Sequence, residues 1–190
     1  AASDDPLTVR CRFQNRRIRM RGNPFTGSEH DLALAVREDG FAAEKRAGDD
    51  MRARIGRHRS ERPAGWTTVE VPVDLGAAIA AAPAGALLIV DCLTVWLANL
   101  FHHLPATADR TAAVEQVAAA LGERRTVGNA PTVVVSNEVG MGVHPETPLG
   151  REYRDELGRA NQLIAGIADR SLLLVAGRAV RLDNPWELLR

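Results

Sequence analysis

Three short apolar runs punctuate the second half of the chain. Ala86–Val90 reads ALLIV behind the turn signal Pro83-Ala84-Gly85 and runs into Asp91. Thr132–Ser136 reads TVVVS behind Pro131, and Leu172–Ala176 reads LLLVA before Gly177. Runs that are apolar on both faces predict central strands of a parallel sheet covered by helices. A further short strand is expected at Ala179–Leu182. Helical spacing fills the intervals. Asp74 stands as an N-cap before Leu75–Ala82. Asp109–Arg125 sets Ala113, Val117, Ala120 and Leu121 on one face with charges opposite. Pro148–Arg170 brings Tyr153, Leu157, Asn161, Ile164 and Ala168 near helical spacing. Strand alternating with helix predicts an α/β fold built from parallel crossovers.

The first third has a different pattern. Phe13–Arg21 alternates Ile18 and Met20 with arginines, which suits an edge strand and is too charged for a central one. Ser28–Val36 and Gly48–Arg62 are expected to be helical. These contrasts divide the chain into an arginine-rich part at 1–62 and a part of alternating apolar runs and amphipathic stretches at 63–190.

Composition adds several limits. The 190 residues carry 24 basic and 24 acidic side chains, so the formal charge is zero. That balance gives no global attraction to nucleic acid or to an anionic membrane. No apolar run approaches the roughly 20 residues of a membrane span. Two cysteines, Cys11 and Cys92, make no disulfide framework, and Ala1–Val9 lacks the charged-then-apolar order of a secretory signal; a reducing cytoplasm is the expected compartment. Lys45 is the only lysine, flanked by Glu44 and Arg46. A phosphate loop of the form G-x-x-x-x-G-K-[ST] needs glycine before its lysine, so this sequence contains none. Gly22-Asn23-Pro24-Phe25-Thr26-Gly27-Ser28 has two glycines at that spacing, but Ser28 stands where the lysine belongs.

Open α/β sheets place ligands at the carboxyl ends of their strands. Asp91 follows one expected strand there and Glu138 follows another. A strand-end acid holds Mg²⁺ directly or through water beside a nucleotide phosphate. The competing readings are an N-cap role for Asp91 over Leu93–Leu100 and an ordinary loop acid for Glu138. Asn137-Glu138-Val139-Gly140-Met141-Gly142 is a glycine-bearing turn in which backbone N–H groups can approach an anion, or a simple strand-to-helix connection. Arg57-His58-Arg59-Ser60-Glu61-Arg62-Pro63 sets one imidazole among arginines. Neighbouring positive charges favour the neutral, nucleophilic ring, and the same guanidinium groups suit a phosphate chain. A histidine in a solvated basic stretch is the bland alternative. His102-His103 lacks partners at metal-ligand spacing and reads as surface.

Three stretches, RIGRHRSERPAGWTTVEVPVDL (Arg54–Leu75), LLIVDCLTVWLANL (Leu87–Leu100) and VVVSNEVGMGVHPETPLGREYRDELGRANQLIA (Val133–Ala165), together resemble one family. It is the bifunctional adenosylcobinamide kinase / adenosylcobinamide-phosphate guanylyltransferase family of cobalamin biosynthesis. The resemblance runs from about Asp49 to Leu182, which implies a divergent arginine-rich segment at 1–48 and a kinase/guanylyltransferase-like α/β domain at 49–190. It implies a RecA-like P-loop-type fold with a mostly parallel sheet flanked by helices, and a homo-oligomer, usually a trimer. It implies phosphorylation of adenosylcobinamide from ATP or GTP. A second step moves GMP from GTP onto that phosphate through a GMP-histidine intermediate. His58 matches the guanylylated position. Arg59, Ser60, Glu61, Arg62 and Glu70 match nucleotide contacts, and Asp91 matches the acidic strand end on the Mg²⁺ side. The family's opening strand and phosphate loop have no counterpart in Arg10–Arg46, so the N-terminal strand and loop are divergent, as translation of a shifted reading frame or a replaced segment would leave them.

Two rival readings follow from the residues. A binding remnant that performs no transfer fits the absent phosphate loop. A nucleic-acid-binding arm at Arg10–Arg21 fits the local arginines but sits poorly with zero net charge.

Overall fold

A computed structural model describes residues 8–11, 16–19, 31–35, 66–127 and 130–189. The chain divides into two compact units, Ser28–Leu163 on one hand and Ala1–Gly27 with Ile164–Arg190 on the other.

The larger unit is built on a four-stranded sheet of β3 (Asp31–Ala35), β4 (Trp66–Glu70), β5 (Leu88–Asp91) and β6 (Thr132–Val135), in the order β4-β3-β5-β6. All three pairings are parallel. The expected α/β architecture and parallel sheet are therefore present. Two of its strands were not foreseen. Asp31–Ala35 is a central strand where a helix over Ser28–Val36 was expected. The segment DLALA has too few residues for its period to discriminate, and pairing on both edges decides its conformation. Trp66–Glu70, WTTVE, is rich in residues that favour extended backbone and lies at the sheet edge, with Thr67–Glu70 exposed. Gly48–Arg62, expected to be helical, lies outside the described residues.

Among the described residues, four helices complete this picture: α1 (Leu75–Ala81), α2 (Leu93–His103), α3 (Thr107–Val127) and α4 (Pro148–Ile167). The core gathers Leu75 and Ile79 of α1, Leu88 and Val90 of β5, Trp96, Leu97 and Leu100 of α2, Val117 of α3 and Leu157 of α4, each almost wholly buried. Fully burying such side chains stabilises by about 1.5–3 kcal/mol each, before conformational entropy is subtracted. Asp74 sits at the N-cap position of α1, but its side chain makes no capping bond. On α3 the buried face is Val114, Val117, Ala118, Ala120 and Leu121, and it includes two arginines expected on the outside, Arg110 and Arg124.

Both buried arginines serve as joints. Arg110 meets Glu156 through Nε (2.9 Å to Oε2) and Nη2 (2.8 Å to Oε1), and donates through Nη1 to the carbonyls of Leu104 and Pro105. Its guanidinium carbon stands 4.0 Å from the centre of the Phe101 ring. Arg124 donates to the carbonyls of Ala82, Pro83 and Ala86 and to Thr132 Oγ1. It thus ties the end of α3 to the loop before β5 and to the start of β6. At the other end of that loop's helix, Gly76 lets α1 lie close on α3: a Cβ there would sit 3.2 Å from the backbone carbon of Gln116.

Among its described residues, the smaller unit contains two antiparallel strand pairs. β1 (Thr8–Cys11) pairs with β2 (Arg16–Arg19). The extended strand expected within Phe13–Arg21 is thus present, as half of a two-stranded ribbon. β7 (Ser171–Val175) pairs with β8 (Arg178–Leu182). The strand expected at Ala179–Leu182 is there, but LLLVA is not a central strand of the parallel sheet. Its turn explains the outcome. Ala176 and Gly177 both have positive φ, 51° and 74°, the two-residue geometry that returns a strand antiparallel to itself.

Candidate functional site

Parallel pairing gives the four strands one common exit. In register, Ala35 pairs with Glu70 on one side and with Asp91 on the other, and Asp91 pairs with Val135. Glu70, Ala35, Asp91 and Val135 therefore form a single row at the carboxyl edge. Two acids singled out by sequence, Glu70 and Asp91, come to this row from different strands, with β3 between them. Asp91 is the last residue of β5, and Cys92, not Asp91, occupies the N-cap position of α2. The capping reading of Asp91 is thus set aside, because the strand runs one residue further than a cap allows. Glu138 follows three residues after Val135. It is exposed, and its Oε1 accepts the Gly140 N–H at 2.7 Å. That bond folds the glycine turn on itself.

Behind the edge lies a polar cluster that the sequence reading did not assemble. Thr94 is three residues past Asp91, in the first turn of α2. Its Oγ1 accepts two bonds from Asn137, from the backbone N–H at 3.0 Å and from Nδ2 at 2.9 Å. Asn161 of α4 holds the same turn from the opposite side. Its Nδ2 donates to the Asn137 carbonyl at 3.1 Å, and its Oδ1 accepts from Ser136 Oγ at 2.6 Å. Tyr153, two turns earlier on α4, donates its hydroxyl to the Thr94 carbonyl at 2.8 Å and packs edge-on against Phe101. Burial, with a smaller contribution from Cys92, pushes the Tyr153 phenol from its ordinary 10 up to about 12. Tyr153 and Asn161 were read as positions on a helix face. The signal for their role was the spacing of eight that puts both on one side of α4. Thr94 had only its place just after a strand-end acid.

Other side chains are placed as follows. His102 and His103 close α2 with their rings edge to face, 4.8 Å apart. Among the described residues no group of three or more His, Cys, Asp or Glu side chains is arranged to hold a metal. His144, not singled out by sequence, accepts at Nδ1 from Arg154 Nη1 across 2.7 Å, because an arginine has only donors. Among the described residues, no helix is long and apolar enough to cross a membrane. His58, Arg59, Ser60, Glu61 and Arg62 lie outside the described residues, as does Lys45.

Comparison with known proteins identifies the family of the chain. Residues 32–182 match the family model described as cobinamide kinase / cobinamide phosphate guanyltransferase. The match starts at β3, well before the first of the motifs that carried the resemblance. The bifunctional adenosylcobalamin biosynthesis protein CobP of Pseudomonas aeruginosa is 41% identical over 148 residues, covering 76% of this chain and 82% of the relative. The bifunctional adenosylcobalamin biosynthesis protein CobU of Salmonella typhimurium is 39% identical over 147 residues, covering 70% and 79%. Its namesake from Escherichia coli is 35% identical over 143 residues. The chain belongs to the cobinamide kinase / cobinamide phosphate guanyltransferase family.

Proposed function

We propose that this chain phosphorylates adenosylcobinamide and transfers GMP from GTP to the resulting phosphate, through a GMP-histidine intermediate on His58, in cobalamin biosynthesis. The observation that carries this reading is the family match from 32 to 182, which takes in both His58 and the carboxyl-edge row of Glu70 and Asp91. His58 would attack the α-phosphorus of GTP in line, forming an N–P bond as the bond to the pyrophosphate oxygen breaks. The adenosylcobinamide phosphate oxygen would then displace the imidazole, so that one difficult transfer becomes two easier ones. Arg59 and Arg62 would neutralise charge on the departing pyrophosphate, and Ser60, Glu61 and Glu70 would contact the guanine nucleotide.

Chain length is compatible with this geometry. Seven residues lie between His58 and Trp66, and the eight steps could span about 26–29 Å when extended, while β4 itself is only about 17 Å long. His58 can therefore reach the carboxyl edge although it precedes the amino end of β4.

The donor set at that edge fits Mg²⁺. This ion keeps several waters and takes one or two carboxylates plus substrate phosphates, and a strand-end Asp91 supplies such a carboxylate. Bound there, Mg²⁺ would neutralise phosphate charge. ATP or GTP would serve as phosphoryl donor. A cytoplasmic, homo-oligomeric enzyme, a trimer as in the family resemblance, is the form we expect.

The test is incubation with GTP labelled at the α-phosphate. The chain acquires an acid-labile, protein-bound label that His58→Ala abolishes, and chasing with adenosylcobinamide phosphate removes it. Absence of label on the wild-type chain overturns the guanylyl-transfer reading. A parallel incubation with γ-labelled ATP or GTP and adenosylcobinamide tests the kinase step.

A further inference from the structure

We infer that Thr94 and Asn161 are positioning residues for the proposed guanylyl transfer, acting through Asn137 to fix the Glu138–Gly142 turn against the strand end that carries Asp91. The inference rests on the functional reading above.

Four hydrogen bonds carry it. Asn137 is the second residue beyond β6, and every polar part of it used here points into the cluster. Its N–H and Nδ2 go to Thr94 Oγ1, and its carbonyl goes to Asn161 Nδ2. Asn161 Oδ1 then takes the Ser136 hydroxyl. Thr94 belongs to the helix that leaves β5, and Ser136 and Asn137 to the loop that leaves β6. One hydroxyl thus sets the distance between two adjacent strand exits.

A purely structural role would be expected where burial is deepest, and this cluster is not there. Thr94, Ser136, Asn137 and Asn161 are all only half-buried, so removing a bond exposes little apolar surface. The same two helices are joined elsewhere by Arg110, which pairs with Glu156 of α4, donates to the Leu104 carbonyl at the end of α2 and lies over the Phe101 ring. The Asn137 clamp is left to determine orientation. Misplacement by about 1 Å of groups that hold a reacting phosphate is costly to rate even when binding survives.

The experiment compares the full-length wild-type chain with Thr94→Val, Thr94→Ser and Asn161→Asp. Val keeps the shape of Thr94 without an acceptor, Ser restores the acceptor, and Asp keeps the acceptor for Ser136 while removing the donor to Asn137. Steady-state GMP transfer is measured with saturating acceptor, and the urea unfolding midpoint is recorded alongside. The expected result is a kcat reduced roughly 10–100-fold in Thr94→Val and Asn161→Asp. KM for GTP should stay within about twofold and the unfolding midpoint close to wild type, with kcat recovered in Thr94→Ser. Unchanged kcat in Thr94→Val beside an active wild type overturns this inference alone. A kcat loss that follows loss of folded protein, or that Ser does not recover, also overturns it. A wild-type chain that transfers no GMP overturns the functional reading and this inference with it.

Discussion

Tyr153 is the only tyrosine in the chain, and its hydroxyl is committed to the Thr94 carbonyl. Burial raises its pKa to about 12, which has a defined sign for stability. The folded value lies above the unfolded one, near 10, so both states hold the proton below pH 10 and nothing is lost there. Between pH 10 and 12 the unfolded chain releases its proton first, and stability falls as pH rises. Tyrosinate absorbance of the native protein should therefore titrate near pH 12 and shift toward 10 in urea, and Tyr153→Phe should lessen the alkaline loss of stability. Arg110 gives a second prediction at this scale. Arg110→Leu leaves Glu156 buried without its partner, and urea unfolding should register a loss of about 3–5 kcal/mol. The double variant Arg110→Leu/Glu156→Leu should recover much of it. Neither residue announced this pairing in the sequence. Arg110 and Glu156 are separated by most of two helices, and an arginine among alanines on a helix is indistinguishable from a solvated one until the partner helix is placed.

At the level of elements, two backbone positions decide how pieces meet. Gly76 faces the backbone of Gln116, which cannot step aside as a side chain would. Gly76→Val should cost about 1–3 kcal/mol, measured by thermal or chemical unfolding. In the β7–β8 turn, Ala176 holds a φ of 51°, a conformation that costs an L-residue with a Cβ roughly 1–2 kcal/mol. Ala176→Asn should slow hydrogen exchange across Leu173–Val180, since asparagine tolerates that region. The same turn shows where pattern reading succeeds and fails. ALLIV and TVVVS are apolar on both faces, and both are strands of the parallel sheet. LLLVA carries the same pattern yet forms a hairpin, because the two residues after it, not its own period, select the partner. DLALA shows the reverse. Only its pairing with β4 and β5 marks it as a strand, and long-range pairing leaves no trace in a window of five residues. The lengths of α3 and α4 were legible because their periodicity is sustained for about five turns.

For the whole molecule, what matters is that four parallel strands release their chain at one rim. Of the row of Glu70, Ala35, Asp91 and Val135, the acid-after-apolar-run pattern flagged only Asp91, since Glu138 lies three residues beyond Val135. The family motif contributed Glu70, and only register could show that Asp91 lies one strand from β6 and two from β4. Asp91→Asn should lower GMP transfer roughly 10–100-fold while leaving the unfolding midpoint near wild type, because Asp91 is only half-buried. The opposite rim has another character. There Arg124 takes three backbone carbonyls and a hydroxyl in a single guanidinium, bonds that survive any ordinary change of pH because that group stays protonated. One end of the sheet is riveted and the other is laced with neutral hydroxyls and amides.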